Sequence, residues 1–159
     1  KIVRAATGQR ADLELLVSRI AAEDHPDDAR AAARAPSGMV ESLARYDALS
    51  SDSVWHLIAY LDGRPAGLAI LTRVPKLDER IGFLYLDELH VLAEHRRRRI
   101  GTALMRAALD LSCELDLAGI RLLTRPDNHP ARALYESLAF RRSETLLYQL
   151  LVERRDPSF

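Results

Sequence analysis

The stretch His95-Arg96-Arg97-Arg98-Arg99-Ile100-Gly101-Thr102 decides how this chain reads. It lies between an apolar strand pattern over residues 81–92, interrupted only by Asp87, Glu88 and His90, and a helical pattern over 101–117. The helical pattern sets Leu104, Ala108, Leu111 and Leu115 on one face. Strand, turn and helix in that order leave unsatisfied backbone N–H groups and the positive end of the helix dipole at the turn. A phosphate fits such a terminus; flanking arginines add charge and donors, and Gly101 allows close backbone approach. Taken out of context, the same run reads as a solvated basic patch or a nucleic-acid contact.

Working outward toward the N-terminus, Val54 to Leu61 and Ala66 to Thr72 read as strands joined by the hairpin turn Asp62-Gly63. Ile2 to Ala6 reads as an edge strand, and Leu13, Leu16, Val17 and Ile20 form one apolar stripe of a helix. Glu23 to Asp28 reads as an acidic loop. Residues 28–48 read as two short helices separated by Pro36-Ser37-Gly38, the second carrying Met39, Leu43 and Tyr46 on one face. Toward the C-terminus come a strand at Ile120 to Thr124, a helix at Pro130 to Leu138, and strands at Phe140 to Arg142 and Leu146 to Val152. The order predicts an α/β (α+β) fold in one domain over residues 1–159.

The whole-chain arithmetic narrows the function classes. With 159 residues, one core is feasible without disulfides or metals. Equal counts of 23 basic and 23 acidic residues argue against a binder held to nucleic acid by overall charge. Hydrophobic content of 48% argues against general disorder. The lone Cys113 is too little for an internal disulfide or a structural zinc site and reads as small core filler, so no metal is expected. No apolar run reaches the ~18–20 residues of a membrane span, and no signal peptide is read at Lys1, so a cytoplasmic protein is expected.

A second constellation lies beyond the arginine run. Asn128 is placed to cap the helix behind it, and Ala131, Tyr135 and Phe140 come after it at fixed spacing. Together the two segments resemble the GNAT superfamily of N-acetyltransferases. That family's cofactor loop, [QR]-x-x-G-x-[GA], is matched by Arg96, Arg97, Arg98, Arg99, Ile100 and Gly101, with Thr102 continuing into the helix. Its later N-x-x-A-x-x-x-Y-x-x-x-G-F pattern is matched by Asn128, Ala131, Tyr135 and Phe140. Two positions depart from the family pattern: Arg99 and Ala139 stand where it has glycine. A positive φ at Arg99 would strain it, whereas a helical Arg99 would point to solvent.

The resemblance implies a largely antiparallel sheet of about six to seven strands flanked by about four helices. It further implies acetyl-CoA as the donor cosubstrate, held by Arg96 to Thr102, by Asn128 and Tyr135, and by the backbone N–H groups of Leu89 and Val91. The implied reaction is direct attack by a primary amine of a small molecule or peptide. An alkyl amine with pKa near 10 is only about a thousandth neutral at pH 7, a penalty of about 4 kcal/mol, so a base is needed. Asp87 and Glu88 are the candidate bases. Strict strand alternation pairs Tyr85 with Asp87 on one face and Glu88 with His90 on the other, unless a bulge intervenes. Tyr135 matches the tyrosine that gives a proton to the departing thiolate. The acidic loop points to a cationic acceptor. The alternatives are a silent acetyl-CoA sensor or a nucleic-acid module built on the arginines. Neither nucleic acid nor membrane is expected as a partner, and a homodimer through the C-terminal strands is open.

Overall fold

The computed structural model describes residues 1–78 and 81–150, with the side chains of residues 31 and 32 left aside. Its elements are β1 (Ile2–Arg4), α1 (Arg10–Asp24), α2 (Ala29–Arg45), β2 (Val54–Leu61), β3 (Arg64–Pro75), β4 (Gly82–Val91), α3 (Ile100–Glu114), β5 (Ile120–Leu122) and α4 (His129–Ser137). Two compact units result, Lys1–Pro126 and Asp127–Phe159.

In the first unit the strands form one sheet in the order β1-β2-β3-β4-β5, antiparallel except for the parallel β4–β5 pair. The β2–β3 hairpin turns at Asp62 (φ 49°) and Gly63 (φ 78°), the two positive φ values that match a tight turn to the strand twist. One face of the sheet packs under α1 and α2: Leu13, Leu16 and Leu43 bury against Ile58 and Leu68, with Val17, Ile20, Met39 and Ile70 packed around them. The other face receives α3 through Ile100, Leu104, Met105, Ala108 and Leu111. Contact there is close because β3 carries Gly67: a Cβ at that position would lie 2.8 Å from the His90 carbonyl oxygen and 3.4 Å from both Ile100 Cγ2 and Leu104 Cδ1.

Several expectations are corrected. The described residues form five strands, not six to seven. Residues 140–150 carry no strand, and Leu146, Leu147, Tyr148 and Leu150 are exposed; Leu151 and Val152 lie outside the described residues. Strand propensity without a paired neighbour leaves the backbone groups to solvent. Residues 29–45 are one helix with Pro36 inside it, because burial of Met39 and Leu43 offsets the lost N–H of the proline. Tyr46 lies beyond that helix and is exposed. Glu23 and Asp24 close α1 and so precede the acidic loop. Cys113 is exposed, since the buried face of α3 runs through Leu111 and Ser112.

Candidate active site

The position of Glu88 is set by a β-bulge. Along β3 and β4, Ile70 pairs with Glu88 and the next residue, Leu71, pairs with Leu86, so Asp87 is an extra residue with no partner in the ladder. The insertion resets the alternation. Paired residues share a face, so Glu88 and His90 join Ile70 and Leu68 on the α1–α2 side, and Tyr85, paired with Thr72, joins them. The expectation that Tyr85 and Glu88 take opposite faces is corrected by this one residue. Asp87 and Glu88 are both exposed at the bulge.

The same bulge governs the backbone. Leu84 N–H donates to the Gly119 carbonyl on the β5 side, whereas beyond the bulge Leu92 N–H donates to the Ala66 carbonyl on the β3 side. Ladder alternation back from Leu92 turns the N–H groups of Leu89 and Val91 away from β3. The β5 pairing ends at Leu86–Leu122, so those two donors lie on the stretch of β4 beyond it.

Electrostatics distinguish the two carboxylates. Burial pushes the Glu88 carboxyl up, and the Asp87 and Asp24 charges push the same way against the pull of His90. A raised carboxyl is a better proton acceptor at neutral pH than an ordinary surface carboxylate.

The arginine run ends β4 and opens α3. Arg97 (φ 59°) and Arg99 (φ 60°, ψ 17°) are both left-handed, and Arg99 is the N-cap of α3, with no side chain capping the first turn. The residue in the family's glycine position therefore does take the glycine conformation. Arg97, Arg98 and Arg99 are exposed, Ile100 is buried under the sheet, and Gly101 and Thr102 are half-buried in the first turn. Arg96 turns back: its Nε donates to the Val91 carbonyl at 3.0 Å and its Nη2 to Glu23 at 3.1 Å. Glu23 accepts as well from the Ala93 N–H at 2.9 Å and meets His90 Nε2 at 3.2 Å. Burial pushes the Glu23 carboxyl up, but these hydrogen bonds and the His90 and Arg96 charges outweigh it, and the net direction is down. Sequence reading puts Glu23 in a loop and misses this role, because its partners lie 67 to 73 residues away. A shallow groove bounded by Ile2, Arg99, Thr102, Arg106 and Asp110 runs between β1 and α3 and does not include β4.

In the second unit, Asn128 caps α4, its Oδ1 accepting from the Ala131 N–H at 3.3 Å. The helix ends in a six-residue closure: Phe140 N–H donates to the Tyr135 carbonyl at 3.1 Å and Ala139 N–H to the Glu136 carbonyl at 3.1 Å. Ala139 sits at φ 63°, and the Phe140 ring meets the Tyr135 ring at 5.8 Å. The Gly-Phe of the family pattern thus has a local meaning: one residue turns left-handed so that the next can brace the tyrosine. Burial pushes the Tyr135 hydroxyl up, so it holds its proton at neutral pH.

Comparison with known proteins fits this geometry. The Acetyltransferase (GNAT) family model matches residues 17–140. No curated protein sequence matches the chain. Among solved structures, an aminoglycoside acetyltransferase from an uncultured soil metagenomic sample is 26% identical, with a TM-score of 0.80 over 96% of this chain and 98% of that one. AAC(6')-Iy, solved in complex with a bisubstrate analogue, CoA-S-monomethyl-acetylneamine, is 17% identical with a TM-score of 0.74, covering 96% of this chain and 97% of that chain. A second soil-metagenomic aminoglycoside acetyltransferase, in complex with sisomicin, is 16% identical with a TM-score of 0.76 over 97% and 96% of the two chains. Among the described residues no helix is long and apolar enough to cross a membrane. A match spanning most of the chain, over a strand–turn–helix with the bulge and loop described, places it: this protein belongs to the GNAT family and is an N-acetyltransferase.

Proposed function

We propose that residues 1–159 act as one catalytic domain that moves the acetyl group of acetyl-CoA to a primary amine of a small polycationic acceptor of the aminoglycoside kind. The observation that carries the reading is the bulge at Asp87, which turns Glu88 to the α1–α2 face and the Leu89 and Val91 N–H groups away from β3. Acetyl-CoA supplies the activated thioester. Glu88 takes the proton from the acceptor ammonium, directly or through water, and its raised pKa suits that task. The N–H groups of Leu89 and Val91 donate to the cofactor's arm and to the carbonyl where negative charge develops, worth a few kcal/mol as in an oxyanion hole. The uncapped first turn of α3, Ile100 to Thr102, with Arg97, Arg98 and Arg99 beside it, holds phosphate. Tyr135, braced by Phe140, keeps a proton for the departing sulfur. The acceptor class is supported by the acidic residues Asp24, Asp27, Asp28, Asp87 and Glu88 and by the 26%-identical aminoglycoside acetyltransferase.

The test is incubation with acetyl-CoA and sisomicin, read by mass spectrometry, beside calorimetric titration of acetyl-CoA alone. The expected product carries one added acetyl group, and its formation drops sharply in Glu88→Gln. Failure of acetyl-CoA to bind would sink the reading; binding without transfer to any amine would favour a sensor.

A further inference from the structure

The structure assigns Arg96 and Glu23 a joint positioning role: they form a clasp that ties the end of α1 to the β4–α3 turn and holds the cofactor loop in shape. This inference rests on the proposed acetyl-CoA reading and departs from the sequence expectation at one residue, because it takes Arg96 out of the cofactor ligands.

The geometry is specific to a guanidinium. Arg96 uses two different nitrogens on two different elements, Nε on the Val91 carbonyl at the end of β4 and Nη2 on Glu23 at the end of α1. Only a planar fork spans both at once; an ammonium is a point donor. Glu23 completes the closure, taking the Ala93 N–H on its other oxygen, and Arg19 pairs with Glu94 alongside. The turn between Val91 and Arg99 is therefore fastened at three points to a helix of the opposite face of the sheet. Immediately after the fastened segment the chain enters the left-handed residues Arg97 and Arg99 and then the first turn of α3. All four arginines are exposed, and Arg96 is set apart by its bonds to the Val91 carbonyl and Glu23. The adjacent α1 residue, Asp24, acts on Glu88, so the clasp also fixes the helix end whose charge helps raise the base.

A double-mutant cycle on acetyl-CoA affinity tests the role, with Glu23→Gln, Arg96→Met and both together, read by calorimetry and by steady-state kinetics. Wild-type binding must be seen first, and its absence counts against the acetyl-CoA reading, not the clasp. Each single change is expected to raise the acetyl-CoA Kd by about five-fold, and the double change by no more than the larger single effect, because both remove one interaction. At saturating acetyl-CoA, kcat is expected to stay within about two-fold of wild type. Arg96→Lys is expected to behave as Arg96→Met does, which also serves if the Met variant folds poorly. Two results would overturn the assignment. One is an Arg96 effect that is undiminished in the Glu23→Gln background or is rescued by lysine, which would make Arg96 a direct charge on the phosphates. The other is no change in Kd in any variant.

Discussion

Arg99→Gly tests whether backbone strain is stored at the turn that opens α3. Arg99 sits at φ 60°, ψ 17°, a conformation in which an L side chain crowds the following carbonyl, at a cost of about 1–2 kcal/mol. Glycine removes that cost but returns about 0.5–1 kcal/mol through its greater freedom in the unfolded chain. The balance is a gain of about 0.5–1 kcal/mol, which for a chain of this length raises Tm by about 1–4 °C. The assay is thermal or urea denaturation of the variant beside Arg99→Ala. Alanine keeps the Cβ that causes the crowding and removes the guanidinium, so it is expected to stay within about 1 °C of wild type. If alanine gained as much as glycine, relief of repulsion among four neighbouring arginines would explain the gain, and the strain argument would fail. A loss of stability in the glycine variant would refute it outright. Ala139→Gly, at φ 63°, repeats the test in the second unit without a charge change, and the same sign is expected.

Four further outcomes are expected. In the pH profile of kcat/KM, the acidic limb falls as Glu88 gains its proton; since that pKa is raised, the fall begins above the ordinary carboxylate range, and Glu88→Gln lowers the rate and flattens the limb. Tyr135→Phe lowers kcat by about 10–10³-fold with acetyl-CoA affinity nearly unchanged; an unaltered rate removes Tyr135 from the reaction. Gly67→Ala destabilises the fold by about 1–3 kcal/mol in urea melts, because the new Cβ meets backbone at 2.8 Å and backbone yields little. Cys113 reacts with a thiol reagent in the native protein at close to the rate in denaturant; full protection would restore it to the core.

Much of the fold is legible because its signals are local. The Asp62-Gly63 turn fixes the β2–β3 hairpin, and the stripe from Leu13 to Ile20 fixes the buried side of α1. The two chemical segments are legible for the same reason: each is a helix start or end with its own punctuation. The features that escape are non-local. Whether Asp87 or Glu88 faces α1 depends on which residues β3 pairs with, and no pattern within 82–91 records that. Glu23 looks like any acidic residue near a helix end until its partners across the sheet are known. Cys113 misleads because Leu111 and Leu115 flank it two residues away on either side while its own position on α3 points outward. The C-terminal apolar run misleads in the opposite sense, since alternation supplies a tendency to extend without supplying a neighbour.

The extra residue Asp87 makes the proposed catalytic surface a question of register. Every residue from 88 to 91 owes its direction to the pairing of Glu88, and not Asp87, with Ile70. A slip that paired Asp87 with Ile70 and erased the bulge would change no side chain of the proposed base, the backbone donors or the arginine turn, yet it would rotate residues 88 to 91 by half a turn: the carboxylate toward α3, the two N–H groups back into the ladder. Deletion of Asp87 itself would keep Glu88 opposite Ile70 in a regular ladder, so the register, more than the residue count, carries the direction. A chain of this type can lose its chemistry with every chemical group still written in its sequence.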